Sequence, residues 1–133
     1  MSLEEARKAL KRAKAQYDKA AVDAWEPAEP GDAVMWAFYA YENAVIALAE
    51  LRGIPWEKNH AKKAALAREL HATGILRTDV SERLRKLNEL RKDVAYDEPG
   101  PELSELNLED LIADLETFID EVEGLIESHG ENS

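Results

Sequence analysis

The stretch AVMWAFYAYENAVIALAEL, residues 33–51, decides the fold of this 133-residue chain. It is apolar on nearly every face of a helix, and such a helix is normally the buried centre of a bundle. Asp32 is expected to cap its start, and Gly53 is expected to end it. Glu42 and Asn43 are its polar exceptions. Because buried polar side chains are costly unless they are paired, both residues are expected to have partners.

Apolar residues at three- and four-residue spacing predict four further helices, and turns containing Pro or Gly separate them. Their approximate spans are residues 3–20, 56–73, 80–94 and 107–128. No stretch has the alternation of a strand. Five helices joined by short turns predict an all-α, up-and-down bundle that forms a single domain over residues 1–133. The last residues, 129–133, are expected to fray.

Charge is divided unevenly along the chain, which has 28 acidic and 17 basic residues and a net charge of −11. Every Lys and Arg lies at or before Lys92, and 13 acids without a single Lys or Arg follow from Asp97 onward. Residues 1–96 therefore have 17 bases against 15 acids, a net charge of +2. Phosphate contacts need Lys and Arg, so the composition argues against a protein that coats nucleic acid. It still allows a small phosphate-bearing ligand on the near-neutral part.

Several kinds of site are excluded by residue types. The chain has no cysteine, which excludes disulfides and thiolate metal sites and fits a cytoplasmic location. No run approaches the about 18 apolar residues of a membrane span, so no membrane partner is expected. Only one Glu-x-x-His pair occurs, Glu57 and His60, and His71 would lie roughly 16 Å from His60 along a helix. We therefore predict no metal site and no cofactor, and glycine-rich phosphate loops are also missing.

The fourth predicted helix carries an arginine within its apolar stripe. Arg91 lies near Tyr96, and Glu42 or Asp93 could hold its charge. A purely structural arginine, paired with Glu42 or reaching solvent, is the alternative interpretation. The candidate ligand-binding residues are Glu42, Asn43, Asn88, Arg91, Asp93 and Tyr96. Arg91 and Tyr96 are also the only candidates for a catalytic role.

The order of the helices, the apolar second helix, the turn LRGIP (residues 51–55) and the ending LRKDVAYDEPG (residues 90–100) resemble HEPN domains. The resemblance covers roughly residues 3–127. It implies a prokaryotic helical domain that forms homodimers and often occurs with nucleotidyltransferase partners in toxin–antitoxin and defence systems. In nuclease members, an arginine and a histidine at the end of helix four cleave RNA without metal at the dimer interface.

This chain matches that arginine with Arg91 but has Tyr96 where the family pattern has histidine. A phenol with a pKa near 10 is a poor general base at neutral pH. The resemblance then implies a homodimeric, non-catalytic module that binds a nucleotide, RNA or a cognate protein partner. One alternative is a metal-independent RNase toxin using Arg91 and Tyr96. A second is an acidic, antitoxin-like partner or nucleic-acid mimic that uses the last helix, about residues 107–128.

Aromatic residues are concentrated in and near the second helix. A stripe of aromatics at helical spacing usually belongs to a core or an interface. We expect this of the following five: Tyr17, Trp36, Phe38, Tyr39 and Tyr41.

Overall fold

Five helices and no strand make up the part of the chain that the structure, a computed structural model, describes: residues 2–25, 29–95, 103 and 106–131. The helices are α1 (Leu3–Trp25), α2 (Pro30–Arg52), α3 (His60–Ala72), α4 (Ser81–Ala95) and α5 (Leu108–Glu131). The predicted all-α bundle is confirmed. None of these five helices combines the length and apolar character that crossing a membrane requires.

Helix α2 is the centre of the bundle and packs against each of the other four helices. Its side chains include Phe38 and Tyr41, which are almost completely buried. Helix α1 packs most extensively on α2, because its facing side is largely alanine and lets the two backbones approach closely. The two helices run antiparallel, since the Ser2 amide at the start of α1 donates to the Glu50 carbonyl near the end of α2 at 2.9 Å.

The start of α2 differs from the prediction. The helix begins at Pro30, after Glu29, so Asp32 lies within the first turn and is not the cap. Proline suits the first position of a helix because its φ is already helical and its missing amide hydrogen would have no partner there. The predicted end is confirmed. Gly53 has a left-handed φ of 68° and its amide closes the last turn.

Helix α3 begins at His60, four residues after the predicted start at Trp56. The side chain of Asn59 caps it by accepting a hydrogen bond from the Lys62 amide at 3.0 Å. Trp56 remains in the preceding turn, where its indole Nε1 donates to Glu50 at 2.9 Å. The start of α3 is therefore set by its capping residue, Asn59. Asn59 was not identified as a cap from the sequence.

Helix α5 begins as predicted, with the Asn107 side chain accepting from the Asp110 amide at 3.0 Å. It continues to Glu131, and the fraying of residues 129–133 stays a prediction. The helix extends past its last core residue, Ile126, because no proline interrupts it there. Residues 132 and 133 lie outside the described part of the chain.

Candidate ligand-binding site around Arg91

Arg91 is half-buried on α4, one position after the fully buried Leu90. Its guanidinium carbon lies 5.4 Å from the ring centroid of Phe38 on α2, an arrangement that attracts the cation to the ring face. One guanidinium nitrogen donates to the Asn88 side chain at 2.9 Å. The Nε atom of Arg91 is buried without a hydrogen-bond partner. No carboxylate among the described residues pairs with Arg91.

Glu42 does not hold the charge of Arg91, so that expectation is wrong. The residue is 3% exposed, and its Oε2 lies 2.7 Å from Nδ1 of His60 while its Oε1 lies 3.6 Å from Nζ of Lys63. Both partners come from α3 and are three residues apart, which places them on one face of that helix. A buried carboxylate needs such partners, so Glu42 is satisfied by α3 rather than by α4.

His60 is the residue that sequence reasoning missed, because it was considered only as a metal ligand. Its ring centroid lies 5.1 Å from that of Phe38, and the guanidinium carbon of Arg91 lies 5.4 Å from the same centroid. The imidazole centroid and that carbon are therefore no more than 10.5 Å apart, the sum of the two distances. The sequence did contain a signal for this contact. Glu42 is an acid in the apolar helix α2, and α3 begins with two basic residues three positions apart, His60 and Lys63.

Phe38 thus contacts both His60 and Arg91, which are far apart in the sequence. We call this assembly the Arg91 cluster; its members are Phe38, Glu42, His60, Lys63, Asn88 and Arg91. Arg91 and Lys63 supply two positive charges against the single carboxylate of Glu42. The cluster is net positive even with a neutral imidazole, in a chain whose total charge is −11.

The remaining predicted site residues are Asn43, Asp93 and Tyr96. Asn43 faces α1, where its side chain bonds to that of Gln16 at 2.8 Å and accepts from Arg12 at 3.3 Å. Its need for a partner is confirmed, but it is not part of the Arg91 cluster. Asp93 is half-buried on α4. Tyr96 lies outside the described residues.

The end of α4 is positioned by a close approach to the start of α2. A Cβ atom added to Gly31 would lie only 2.9 Å from Cγ1 of Val94, well inside a normal contact. Glycine therefore allows the last turn of α4 to pack directly on α2. Arg91 lies one turn before Val94, so this contact fixes where its side chain meets Phe38.

Some acidic side chains of α5 are paired with residues of other helices. The Tyr17 hydroxyl donates to Glu116 at 2.6 Å, and Arg83 donates to Asp114 at 2.7 Å. The bond to Glu116, followed by burial, raises the pKa of Tyr17 to about 12. Lys14 pairs with Glu123 in the same seam. These bonds tie α5 to α1 and α4, so several of its acids are already partnered.

Among the described residues, no three His, Asp or Glu side chains come together in a way that could hold a metal ion. Comparison with known proteins gives one result: a family model of the HEPN domain matches residues 2–125. The matched range contains every member of the Arg91 cluster. No curated protein and no solved structure matches the chain significantly.

Proposed function

The chain belongs to the HEPN domain family, and on this premise we propose that it is a homodimeric, non-catalytic module that binds a phosphate-bearing ligand at the Arg91 cluster. The ligand is a nucleotide or a short RNA. One observation carries the proposal: Arg91 is held half-buried against Phe38 without a carboxylate partner among the described residues. Its Nε atom is also left without a hydrogen bond.

A guanidinium placed in this way costs free energy, because burial removes water and no anion among the described residues compensates. A bound anion would compensate for it, and guanidinium groups suit phosphate since their planar donors match its oxygens. Lys63 adds a second positive charge in the same cluster, and Asn88 holds the guanidinium in one orientation. Positive charge concentrated at one place attracts an anion even when the whole molecule is acidic.

The binding role is tested by titrating the full chain with ATP and with a labelled single-stranded RNA hexamer, at low and at raised salt. Charge-assisted hydrogen bonds suggest a loss of about tenfold or more in affinity for Arg91→Ala. Arg91→Lys keeps the charge but not the planar fork, so it should recover only part of the affinity. Arg85→Ala is the matched control, since Arg85 is exposed on the same helix and pairs with Glu82.

Equal losses for Arg91→Ala and Arg85→Ala would overturn the proposed site. Binding that does not weaken with salt would contradict the phosphate ligand, because contacts to phosphate release counterions.

The homodimer and the biological setting belong to the same proposal. Family membership supports a prokaryotic toxin–antitoxin or defence-type system and a cognate protein partner. Light scattering at micromolar concentration tests the dimer, with and without nucleotide. A monomer under both conditions would contradict it, while the titration above would still report on the binding site.

Metal-independent RNA cleavage is the second candidate, and the Glu42–His60 contact favours it. A carboxylate at 2.7 Å fixes the orientation of the imidazole, which a general base requires. Total RNA incubated with the protein in EDTA tests this activity. The candidate requires cleavage that is lost in both His60→Gln and Arg91→Ala. Cleavage that is absent, or unchanged in either variant, would exclude it.

A further inference from the structure

A cavity lies near the start of α4, away from the Arg91 cluster. It has a volume of about 280 Å³ and is enclosed by α2, α5 and the beginning of α4. Thr78 and Thr117 also border a neighbouring open cleft of about 520 Å³, so the cavity and the cleft lie side by side. Arg83 lines the cavity and precedes Arg91 by eight residues, which corresponds to about 12 Å along a helix.

Tyr41 supplies an unusual polar group to this cavity. The residue is 2% exposed, and its hydroxyl makes no hydrogen bond to any residue that the structure describes. Burial raises the pKa of Tyr41 to about 12, while the nearby Arg83 and Asp114 act on the same hydroxyl in opposite directions. Because both of these residues also line the cavity, the hydroxyl faces it. The oxygen is not among the fully buried unsatisfied atoms, so it is open to the cavity and can bond to a bound group or to water.

The cavity combines an aromatic and apolar floor with an acidic rim. The rings of Tyr41 and Phe118 lie side by side with centroids 5.5 Å apart, and Val80 completes the floor. The charged residues of the cavity and the cleft are four acids and two bases, a balance of −2: Asp79, Asp114, Asp120, Glu121, Arg77 and Arg83. Aromatic faces next to carboxylates are a common way to hold organic cations.

We propose that this cavity binds an organic cation, an alkylammonium or alkylguanidinium group. Its apolar stem lies on Val80 and Phe118, and its charged head lies between the Tyr41 hydroxyl oxygen and the Asp114 carboxylate. The bond from Arg83 uses Oδ2 of Asp114, so Oδ1 can accept from the ligand. The volume is slightly below that of typical small-molecule sites, so it suits a group the size of one long side chain.

An anion does not fit this environment as well. The first amide of α4, that of Ser81, already donates to Asp79 at 2.9 Å, which fills the helix start with a carboxylate. Hydrogen bonds from Ser81 lower the pKa of Asp79, so this carboxylate stays charged. An incoming phosphate would meet Asp79 and Asp114 together. The phosphate proposed at Arg91 and the cation proposed here are therefore expected at different sites.

The test is a titration of the isotope-labelled full chain with agmatine, which carries a guanidinium and an ammonium group, at constant ionic strength. We expect saturable shifts of the amide resonances of Thr78, Val80 and Thr117. Tyr41→Phe keeps the ring and removes the hydroxyl, so we expect about three- to tenfold weaker binding. Asp114→Asn should weaken binding by about tenfold. Glu127→Gln, an exposed change of equal charge on the same helix, should have little effect.

Two further probes make the result decisive. A short peptide with a single arginine tests whether the cation can come from a partner's side chain, and binding of agmatine alone would identify a free small cation. Inorganic phosphate tests the opposite charge. The proposal is overturned if neither cation gives saturable shifts, if phosphate gives them instead, or if Glu127→Gln weakens binding as much as Asp114→Asn. Arg91→Ala should leave agmatine binding unchanged, so this experiment tests the cavity independently of the Arg91 cluster.

Discussion

Nδ1 of His60 lies 2.7 Å from Oε2 of Glu42, although Glu42 is 3% exposed and belongs to the most apolar helix of the protein. The contact joins the first residue of α3 to the middle of α2. Lys63 approaches the same carboxylate from the next turn of α3. Because few other contacts join α2 and α3, which packs more extensively on α4, this polar pair is the main link between α3 and α2.

Removing the imidazole should therefore destabilise the fold. We expect His60→Ala to lower the free energy of unfolding by about 1–3 kcal/mol, because it leaves a buried acceptor with one partner fewer. His71→Ala is the control, since His71 is an exposed histidine on the same helix whose ring contacts the Leu76 carbonyl at 3.1 Å and no buried carboxylate. Urea unfolding measures both variants. Equal losses would show that the Glu42 contact contributes nothing specific.

The close packing of α4 on α2 predicts that the effects of substitutions at Gly31 and Val94 on stability are coupled. Gly31→Ala places a methyl group against Val94, a cost of about 1–3 kcal/mol that offsets the better helix propensity of alanine. In the background of Val94→Ala the space is open, and the same substitution should stabilise the protein by up to about 1 kcal/mol. Gly124→Ala is the control, because nothing lies within 4 Å of its added Cβ. A double-mutant cycle without coupling would contradict this packing.

Two tyrosines predict a loss of stability at alkaline pH. The folded-state pKa values of Tyr17 and Tyr41 are about 12, above the value of about 10 expected in the unfolded chain. Their protonated forms are favoured by folding, so this stability is fully present below about pH 10 and is lost as pH rises towards 12. Phenolate absorbance and urea unfolding across this range measure the effect.

Variants distinguish the titration of Tyr17 from that of Tyr41. Tyr17→Phe and Tyr41→Phe should each remove one late-titrating group. Glu116→Gln should lower the pKa of Tyr17 alone, because it replaces the anionic acceptor of that hydroxyl. If Glu116→Gln also changed the pKa of Tyr41, the environments of Tyr17 and Tyr41 would not be independent.

The sequence was sufficient to predict the fold because its apolar pattern is unambiguous. The uninterrupted apolar face of residues 33–51 could only be a central helix, and its two polar residues both have the partners that burial demands. The start of α3 was not predictable from periodicity alone, since Trp56 fits the apolar pattern as well as any helical residue does. The boundary depends on the cap at Asn59, a local hydrogen bond that periodicity does not detect.

The candidate site was predicted only in part. Arg91 stood out because a cation interrupts an apolar stripe, and Asn88 was a candidate because it lies in the same stretch of that helix. The role of His60 depends on how α3 crosses α2, which no local pattern specifies. For the same reason the sequence alone allows Glu42 to pair with Arg91, whereas the packing of α3 gives it two basic partners instead.

Arg91 gives the prediction that best separates a ligand-binding arginine from a structural one. It has no carboxylate partner among the described residues and its Nε atom is unsatisfied, so Arg91→Met should leave the free energy of unfolding unchanged or raise it by about 1 kcal/mol. Arg83→Met, which breaks the 2.7 Å contact with Asp114, should lower it. ATP should raise the thermal midpoint of the natural protein and of Arg83→Met but not that of Arg91→Met, because a ligand stabilises only the state that binds it. If Arg91→Met destabilises the protein as much as Arg83→Met does, Arg91 is a structural residue and the phosphate site lies elsewhere.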